Sequence, residues 1–337
     1  MTPHPLIFLF SFLLFPSLRP SPQQDDYVRM SGHAQGTTYA ITCRKTPHAP
    51  AIREIDSVLA VIDRSMSLWK DGSLINRFNA SARSSRMDTH MAHVVRRALQ
   101  VAKASSGAFD ITVKPLVDAW GFGVKGSTAT MPADDELKNI LACVGSHQLR
   151  IKGHALIKRS PCTQIDLNGI AQGYSVDVLA DLLESRGIKD YLVELGGEIR
   201  VRGSGPSGEP WTIGVEAAVK DKDDEAGLSA KIRPGSGGIT TAGDYRKYVE
   251  HGGQRFSHVM DPRTGRPVNN GIVSVTVLAS TAMDADAWDD ALMVLGLDSS
   301  FALLASHPEL EAHFIYVDRS GVVRDTASAG FFRTRKP

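Results

Sequence analysis

Two short β-type runs, Leu149-Arg150-Ile151-Lys152 and Ala155-Leu156-Ile157-Lys158, are separated only by Gly153-His154. A two-residue link containing glycine reads as a hairpin. The other signals are interspersed around it. Thr37-Thr38-Tyr39-Ala40-Ile41-Thr42 is rich in β-branched residues and predicts a strand. Ile52, Ile55, Val58, Leu59 and Ile62 follow helical spacing. Asp88 is placed to cap a helix carrying Met91, Val94, Val95 and Leu99, which Gly107 ends. A short helix is expected from about Asp134. Ile165-Asp166-Leu167 reads as a strand feeding a helix through Asn168-Gly169, with Gly187 closing that helix and Ile188 as its apolar contact. Tyr191–Leu195 is a strand broken by Gly196-Gly197, and Ile199–Arg202 and Trp211–Val215 are expected to continue the sheet. Strands at Ile272–Leu278 and His313–Val317, and helices at Ala285–Val294 and Ser300–Ser306, complete the reading. No regular βαβ alternation runs through this order, which favours an α+β fold, with mixed or antiparallel sheets packed by helices, over a doubly wound sheet. No clear linker divides it, so one domain over residues 28–335 is expected. The polar stretch Lys220–Ala230 reads as an insertion or mobile loop.

Before that domain, Leu6 to Phe15 is an apolar run of about ten residues, too short to span a bilayer but matched to the h-region of a secretory signal. Residues 1–22 are therefore expected to be a signal peptide or N-terminal leader, and the protein to be exported to the periplasm. It would be free there or held at the inner membrane by an uncleaved leader. No cysteine stands near the end of the run, so a lipid anchor is not supported. A net charge of +1, with 42% hydrophobic and 22% charged residues, fits a globular protein and excludes bulk attraction to nucleic acid or anionic membrane. Cys43, Cys143 and Cys162 have no metal-site or CxxC spacing. In an exported protein Cys143 and Cys162, which flank the hairpin, are the pair to oxidise; as small buried hydrophobes they need not pair.

Three constellations and one acid pair are placed to carry chemistry. Asp286 and Asp290 lie four apart in a helical pattern, so both carboxylates share a face. Like charges at that spacing repel, and a hard divalent cation, which takes oxygen ligands, would compensate; an acidic face near a helix start would also explain them. Ser106-Gly107-Ala108-Phe109-Asp110 offers open backbone, a flat ring and an acceptor. Asp166 to Tyr174 is a glycine-containing helix start of the kind whose N–H groups hold phosphate, although it is neither GxGxxG nor a Walker A loop. Gly243-Asp244-Tyr245-Arg246 and Ser257-His258-Val259-Met260-Asp261-Pro262-Arg263-Thr264-Gly265 form the third, with a histidine beside acids and a basic turn.

Taken in order, these segments resemble one family. Gln35-Gly36-Thr37-Thr38-Tyr39, Ser67-Leu68-Trp69-Lys70, Gly107 to Asp110, Asp166 to Tyr174, Glu194-Leu195-Gly196-Gly197-Glu198, Gly243 to Arg246, Ser257 to Gly265 and Asp284 to Gly296 are similar to the ApbE family. The resemblance runs from about Gly32 to Phe332. Its members are FAD:protein FMN transferases, and the resemblance implies one α+β domain with a flavin cleft. It also implies Mg²⁺-dependent cleavage of FAD, release of AMP, and attachment of FMN to a Thr or Ser hydroxyl of a target. Such targets are subunits of membrane redox pumps or secreted flavoproteins. By the same resemblance Asp286 and Asp290 are metal ligands, with a backbone carbonyl from Gly169. Gln35, Trp69, Ala108, Phe109, Asp110, Asp166, Gln172 and Met260 fall where the family contacts FAD, and His258 where it places a general base. Two positions depart from the pattern. Asp290 stands where threonine is common, and Gln172 where lysine is common. An FAD pyrophosphatase that uses water as acceptor, and a flavin-binding protein without turnover, are the competing readings.

Overall fold

The computed structural model describes residues 26–124, 126, 131–216, 228–243, 248–251 and 254–333. The leader at 1–22, Asp244-Tyr245-Arg246 and most of the polar stretch from Lys220 lie outside them.

The chain begins with a hairpin of β1 (Tyr27–Ala34) and β2 (Thr37–Arg44), paired from Tyr27↔Arg44 to Ala34↔Thr37. That register leaves Gln35-Gly36 as the whole connection, and both residues take positive φ (53° and 77°), as a tight type I′ link requires. α1 (Ile52–Met66) follows and buries Ile55, Leu59 and Ile62 along one stripe. α2 (Leu74–Ala80) is capped by the Ser73 hydroxyl, and β3 (Ser84–Arg86) leads to α3 (Thr89–Ala104). Asp88 caps α3 by accepting from the Met91 N–H, a contact of about 1 kcal/mol. A 3-10 turn at Ile111–Val113 precedes α4 (Lys114–Ala119) and α5 (Asp134–Leu141). β4 (Leu149–Lys152) and β5 (Ala155–Lys158) form the hairpin about Gly153-His154, which β3 extends to three strands.

α6 (Asn168–Ser185) ends where Ile188 N–H reaches the Leu183 carbonyl across Gly187. β6 (Tyr191–Leu195) and β7 (Glu198–Arg202) then turn about Gly196-Gly197. β8 (Ile213–Glu216) pairs with β9 (Leu228–Ile232) in a separate two-stranded sheet, and the main sheet continues from β7 to β10 (Gly237–Gly243). Two further small pairs are β11 (Tyr248–His251) with β12 (Gln254–Ser257), and β13 (Met260–Asp261) with β14 (Arg266–Pro267). The chain closes with β15 (Ile272–Ala279), α7 (Ala282–Leu295), α8 (Leu297–Ser306), β16 (Glu311–Val317) and β17 (Val323–Ala327).

Eight strands make the main sheet in the order β1-β2-β6-β7-β10-β15-β16-β17, each pair antiparallel. Alternation along β15 divides two cores: Val275 and Val277 pack with α7, while Leu278 joins Val201, Ile213, Val215, Ile232 and Phe331 on the other side. The α+β expectation holds, as do the expected helices and the Gly153-His154 hairpin.

Three sequence expectations are corrected. Ile165–Leu167 is not a strand of any sheet. Trp211–Val215 does not continue the main sheet, because β8 finds its partner in β9. Cys143 and Cys162 are joined in a disulfide, Cα atoms 5.5 Å apart, and Cys162 is exposed, so it is not a small core hydrophobe.

Candidate active site

The centre of the sheet positions two helices whose close approach builds the site. At Gly173 on α6, an added Cβ would collide with the Ala282 carbonyl and stand 2.8 Å from the Asp286 Cβ. Only a residue without a side chain lets α6 and α7 meet there. The contact is also polar, since the Gly173 N–H donates to Asp286 Oδ2 at 2.8 Å. Asp177, one turn further along α6, accepts from the Ala282 and Met283 N–H groups at 2.9 and 2.8 Å and pairs with Arg200 of β7 at 2.6 Å. One carboxylate thereby fixes the start of α7 against both α6 and the sheet.

Along α7, Asp286, Asp289 and Asp290 face this junction. Asp286 and Asp289 are buried, 6% and 4% exposed. Burial pushes the Asp286 carboxyl well above the usual range, and the negative charge of Glu198 on β7 adds to it. Asp289 is raised for the same reasons, burial first and then Asp290 and Asp286. Asp290 is raised to about 7, by burial and then by the charge of Asp166. Asp166 itself is raised by burial, against the pull of the Asn168 N–H and Lys114. Arg200, a nearby half-buried cation, is engaged by Asp177. Excess buried negative charge of this kind is costly unless a cation compensates it.

Gly169 meets this cluster. It sits at the kinked start of α6 (φ −83°, ψ 20°), and an added Cβ would collide with Asp290 Oδ2 and lie 3.5 Å from the Phe109 ring. Asp290, Gly169 and Phe109 therefore converge. Asp166 joins them through its own backbone: its N–H donates to the Ile111 carbonyl, just beyond Phe109, at 2.8 Å. Its Oδ1 accepts from the Asn168 N–H at 2.8 Å. Among the described residues no three His, Cys, Asp or Glu side chains are grouped to hold a metal on their own. Two carboxylates beside an open backbone do suit a hard cation that shares its remaining positions with ligand oxygens and water.

Gln172 reaches away from α6 to the β6–β7 turn, donating to the Leu195 carbonyl at 3.2 Å and filling the space beside Gly196. A Cβ at Gly196 would also stand 2.8 Å from Thr37, so the β1–β2 hairpin tip joins the same wall. Gln35, in that tip, donates from Nε2 to the Ser175 hydroxyl at 2.9 Å.

Phe109, Asp166, Gly169, Gln172, Asp286 and Asp290 are thus brought together, with Gln35 at the rim. Ala108 and Phe109 are buried. Asp110 holds the turn that follows Phe109. Its Oδ1 accepts from the Thr112 N–H and hydroxyl at 2.9 and 2.6 Å, and its Oδ2 from the Ser146 N–H at 2.5 Å. Here it braces the turn beneath Phe109. His258 is half-buried with its ring 6.4 Å from that of Phe122, and Met260 is buried with Leu116, Trp120, Leu137 and Val144. The loop carrying both is docked next to the Phe109 turn, since Arg263 lies 3.9 Å from where a Cβ at Gly107 would be, and Trp120 Nε1 donates to the Gly265 carbonyl. Trp69 is 65% exposed, its loop held by the Asn76 amide, which donates to the Leu68 and Lys70 carbonyls. Sequence reasoning gave no role to Glu198 or Asp289. The Gly-Gly turn before Glu198 was the signal for the first, and the adjacent acids for the second.

Comparison with known proteins agrees with this geometry. The sequence model of the ApbE family matches residues 35–314. A Vibrio cholerae FAD:protein FMN transferase is 40% identical over 304 residues, 88% of this chain and 89% of that one. The Escherichia coli K12 FAD:protein FMN transferase is 39% identical over 249 residues, 72% and 70% of the two chains. Among solved structures, the flavin transferase ApbE of Vibrio cholerae superposes with a TM-score of 0.81 at 38% identity, covering 90% of this chain and 98% of that chain. The apo Pseudomonas stutzeri flavinyl transferase ApbE gives 0.80 at 31%, covering 91% and 96%. With four-fifths of its length matched by the family model and its fold shared over 90% of the chain with a solved member, this chain belongs to the ApbE family.

Proposed function

We propose that the protein is an FAD:protein FMN transferase. Its substrate is FAD and its acceptor a Thr or Ser hydroxyl on a flavoprotein. The P–O bond between the two phosphates of FAD breaks, AMP leaves with the bridging oxygen, and the acceptor oxygen forms the new bond to the FMN phosphorus. The observation that carries the reading is the pair on one face of α7, Asp286 buried against Gly173 and Asp290 set against Gly169 beside the Phe109 ring. Those residues fit Mg²⁺, with the two carboxylates and the Gly169 carbonyl as its protein ligands. Such an ion supplies charge neutralisation to a transferring phosphoryl group. Phe109 and the exposed Trp69 offer flat apolar faces to the ring systems of FAD, with stacking of order 0.5–1.5 kcal/mol beyond burial. His258 takes the proton of the acceptor hydroxyl, the general-base role that an imidazole nitrogen is able to fill.

The protein is read as exported, with the apolar N-terminal run as its leader and the periplasm as its compartment; the Cys143–Cys162 disulfide supports an oxidising location. Subunits of membrane redox pumps or secreted flavoproteins are the proposed targets.

The test incubates the pure protein with FAD, Mg²⁺ and an acceptor flavoprotein subunit. Yellow fluorescence that stays with the acceptor through denaturation is the expected result. Free FMN and AMP without labelled acceptor would replace the transferase by an FAD pyrophosphatase, and unchanged FAD would leave only flavin binding.

A further inference from the structure

The segment Thr163–Leu167 delivers Asp166 and then Gly169 to the site, yet it belongs to no sheet. A backbone outside any sheet must still find partners for its N–H and C=O groups. At Ile165, whose side chain is fully buried, one residue supplies both: the Ile165 N–H donates to Asn79 Oδ1 at 2.8 Å, and Asn79 Nδ2 donates to the Ile165 carbonyl at 2.9 Å. A side-chain amide here does what a neighbouring strand would do. Either side of this contact the segment is held by other groups. Lys158, itself buried, donates from Nζ to the Thr163 carbonyl at 2.9 Å and to the Asn79 carbonyl at 3.3 Å, with the Phe78 ring 5.1 Å away. Thr163 Oγ1 donates to the Cys143 carbonyl at 2.9 Å, and the Asp166 N–H to the Ile111 carbonyl at 2.8 Å.

We infer that Asn79 is a positioning residue of the site: its amide clamps Ile165 and so sets the placement of Asp166 and Gly169 opposite Asp290. The inference rests on the transferase reading and assigns α2, through this clamp, a part in placing Asp166 and Gly169. A backbone amide pair has both a donor and an acceptor, and of the side chains only Asn and Gln offer both on one rigid plane. Glutamine is a methylene longer and would push the strap rather than hold it.

Asn79→Ala in the full-length protein is expected to stay folded and to weaken both FAD affinity, read by quenching of flavin fluorescence, and the Mg²⁺ concentration for half-effect, by roughly tenfold each, the lower end of what outer-shell partners of metal ligands contribute. Ser81→Ala is the control. Ser81 bonds the Phe78 carbonyl at the end of α2 and touches neither strap nor site, so it reports general loosening of that helix. If it lowers the melting temperature as much as Asn79→Ala and weakens FAD and Mg²⁺ equally, Asn79 has no positioning role. Should Asn79→Ala not fold, Asn79→Asp keeps the acceptor for the Ile165 N–H and puts a charged oxygen in place of the donor to the Ile165 carbonyl. A severalfold loss of FAD affinity is expected from it, and unchanged affinity overturns the inference. Wild-type protein that neither binds FAD nor responds to Mg²⁺ would sink the transferase reading and this role with it, whereas a normal wild type beside an unaffected variant would sink Asn79 alone.

Discussion

At Asp290, burial and the charge of Asp166 raise the carboxyl from 3.8 to about 7. An acid whose pKa is higher folded than unfolded stabilises the fold while protonated; that contribution is complete below about 4 and is lost as pH rises through about 7. Metal-free protein is therefore expected to melt at progressively lower temperature as pH rises across this window. Mg²⁺, which competes with the proton for the same oxygens, should restore the loss and bind more tightly at the upper end. Melting curves in EDTA and in Mg²⁺ from pH 4 to 8 check this, and a flat metal-free profile without a Mg²⁺ shift would remove the pair as ligands. Asp290→Asn should weaken the Mg²⁺ dependence of turnover while leaving FAD bound. His258→Ala should abolish transfer with FAD still bound, and normal transfer by that variant would take His258 out of the chemistry. The acid pair was legible because a four-residue spacing within a helix puts two side chains on one face. Glu198 was not, because its charge reaches Asp286 only through the packing of β7 under α7. Asp110 shows the converse limit. An acid following Gly-Ala-Phe reads equally well as a ligand or as a cap, and only the positions of Thr112 and Ser146 show the bonds by which it braces its own turn.

Among the elements, the α6–α7 contact carries most of the site's geometry, and it turns on Gly173. Gly173→Ala forces a methyl into the Ala282 carbonyl. A cost of about 1–3 kcal/mol is expected, the usual range for overpacking. Because the two helices carry Gly169 and Asp290, Mg²⁺ affinity should fall with the melting temperature; a variant as stable as wild type would show that α7 yields easily. Helices α1 and α3 were readable from their apolar stripes and from the Asp88 cap. The edge strands were not. β17, Val-Arg-Asp-Thr-Ala, is mostly exposed, so it lacks the alternation that a half-buried strand shows. β8 had the right pattern, but pattern does not name a partner, and its partner β9 follows a charged stretch that gave no strand signal.

Over the whole molecule, the disulfide between Cys143 and Cys162 closes a span of 19 residues that includes the β4–β5 hairpin. Chain-entropy reasoning assigns a link of this size about 3 kcal/mol, so Cys143→Ser with Cys162→Ser should lower the unfolding free energy by about that amount in denaturant titrations. Cys43 is the remaining thiol, fully buried in the core, and burial pushes it up to about 11. Native protein should therefore show no titratable thiol, unfolded protein one, and reduced unfolded protein three; a native count above zero would contradict the pairing.

The sheet order has a consequence for how such a chain comes into being. β2 lies beside β6, so Tyr39 waits for Leu195, and the acids of α7 follow later still. Nothing that leaves the ribosome before the last third of the chain holds a complete site. Under the proposed export, the chain would thus cross the membrane without flavin, and FAD would first be met by the finished fold on the far side.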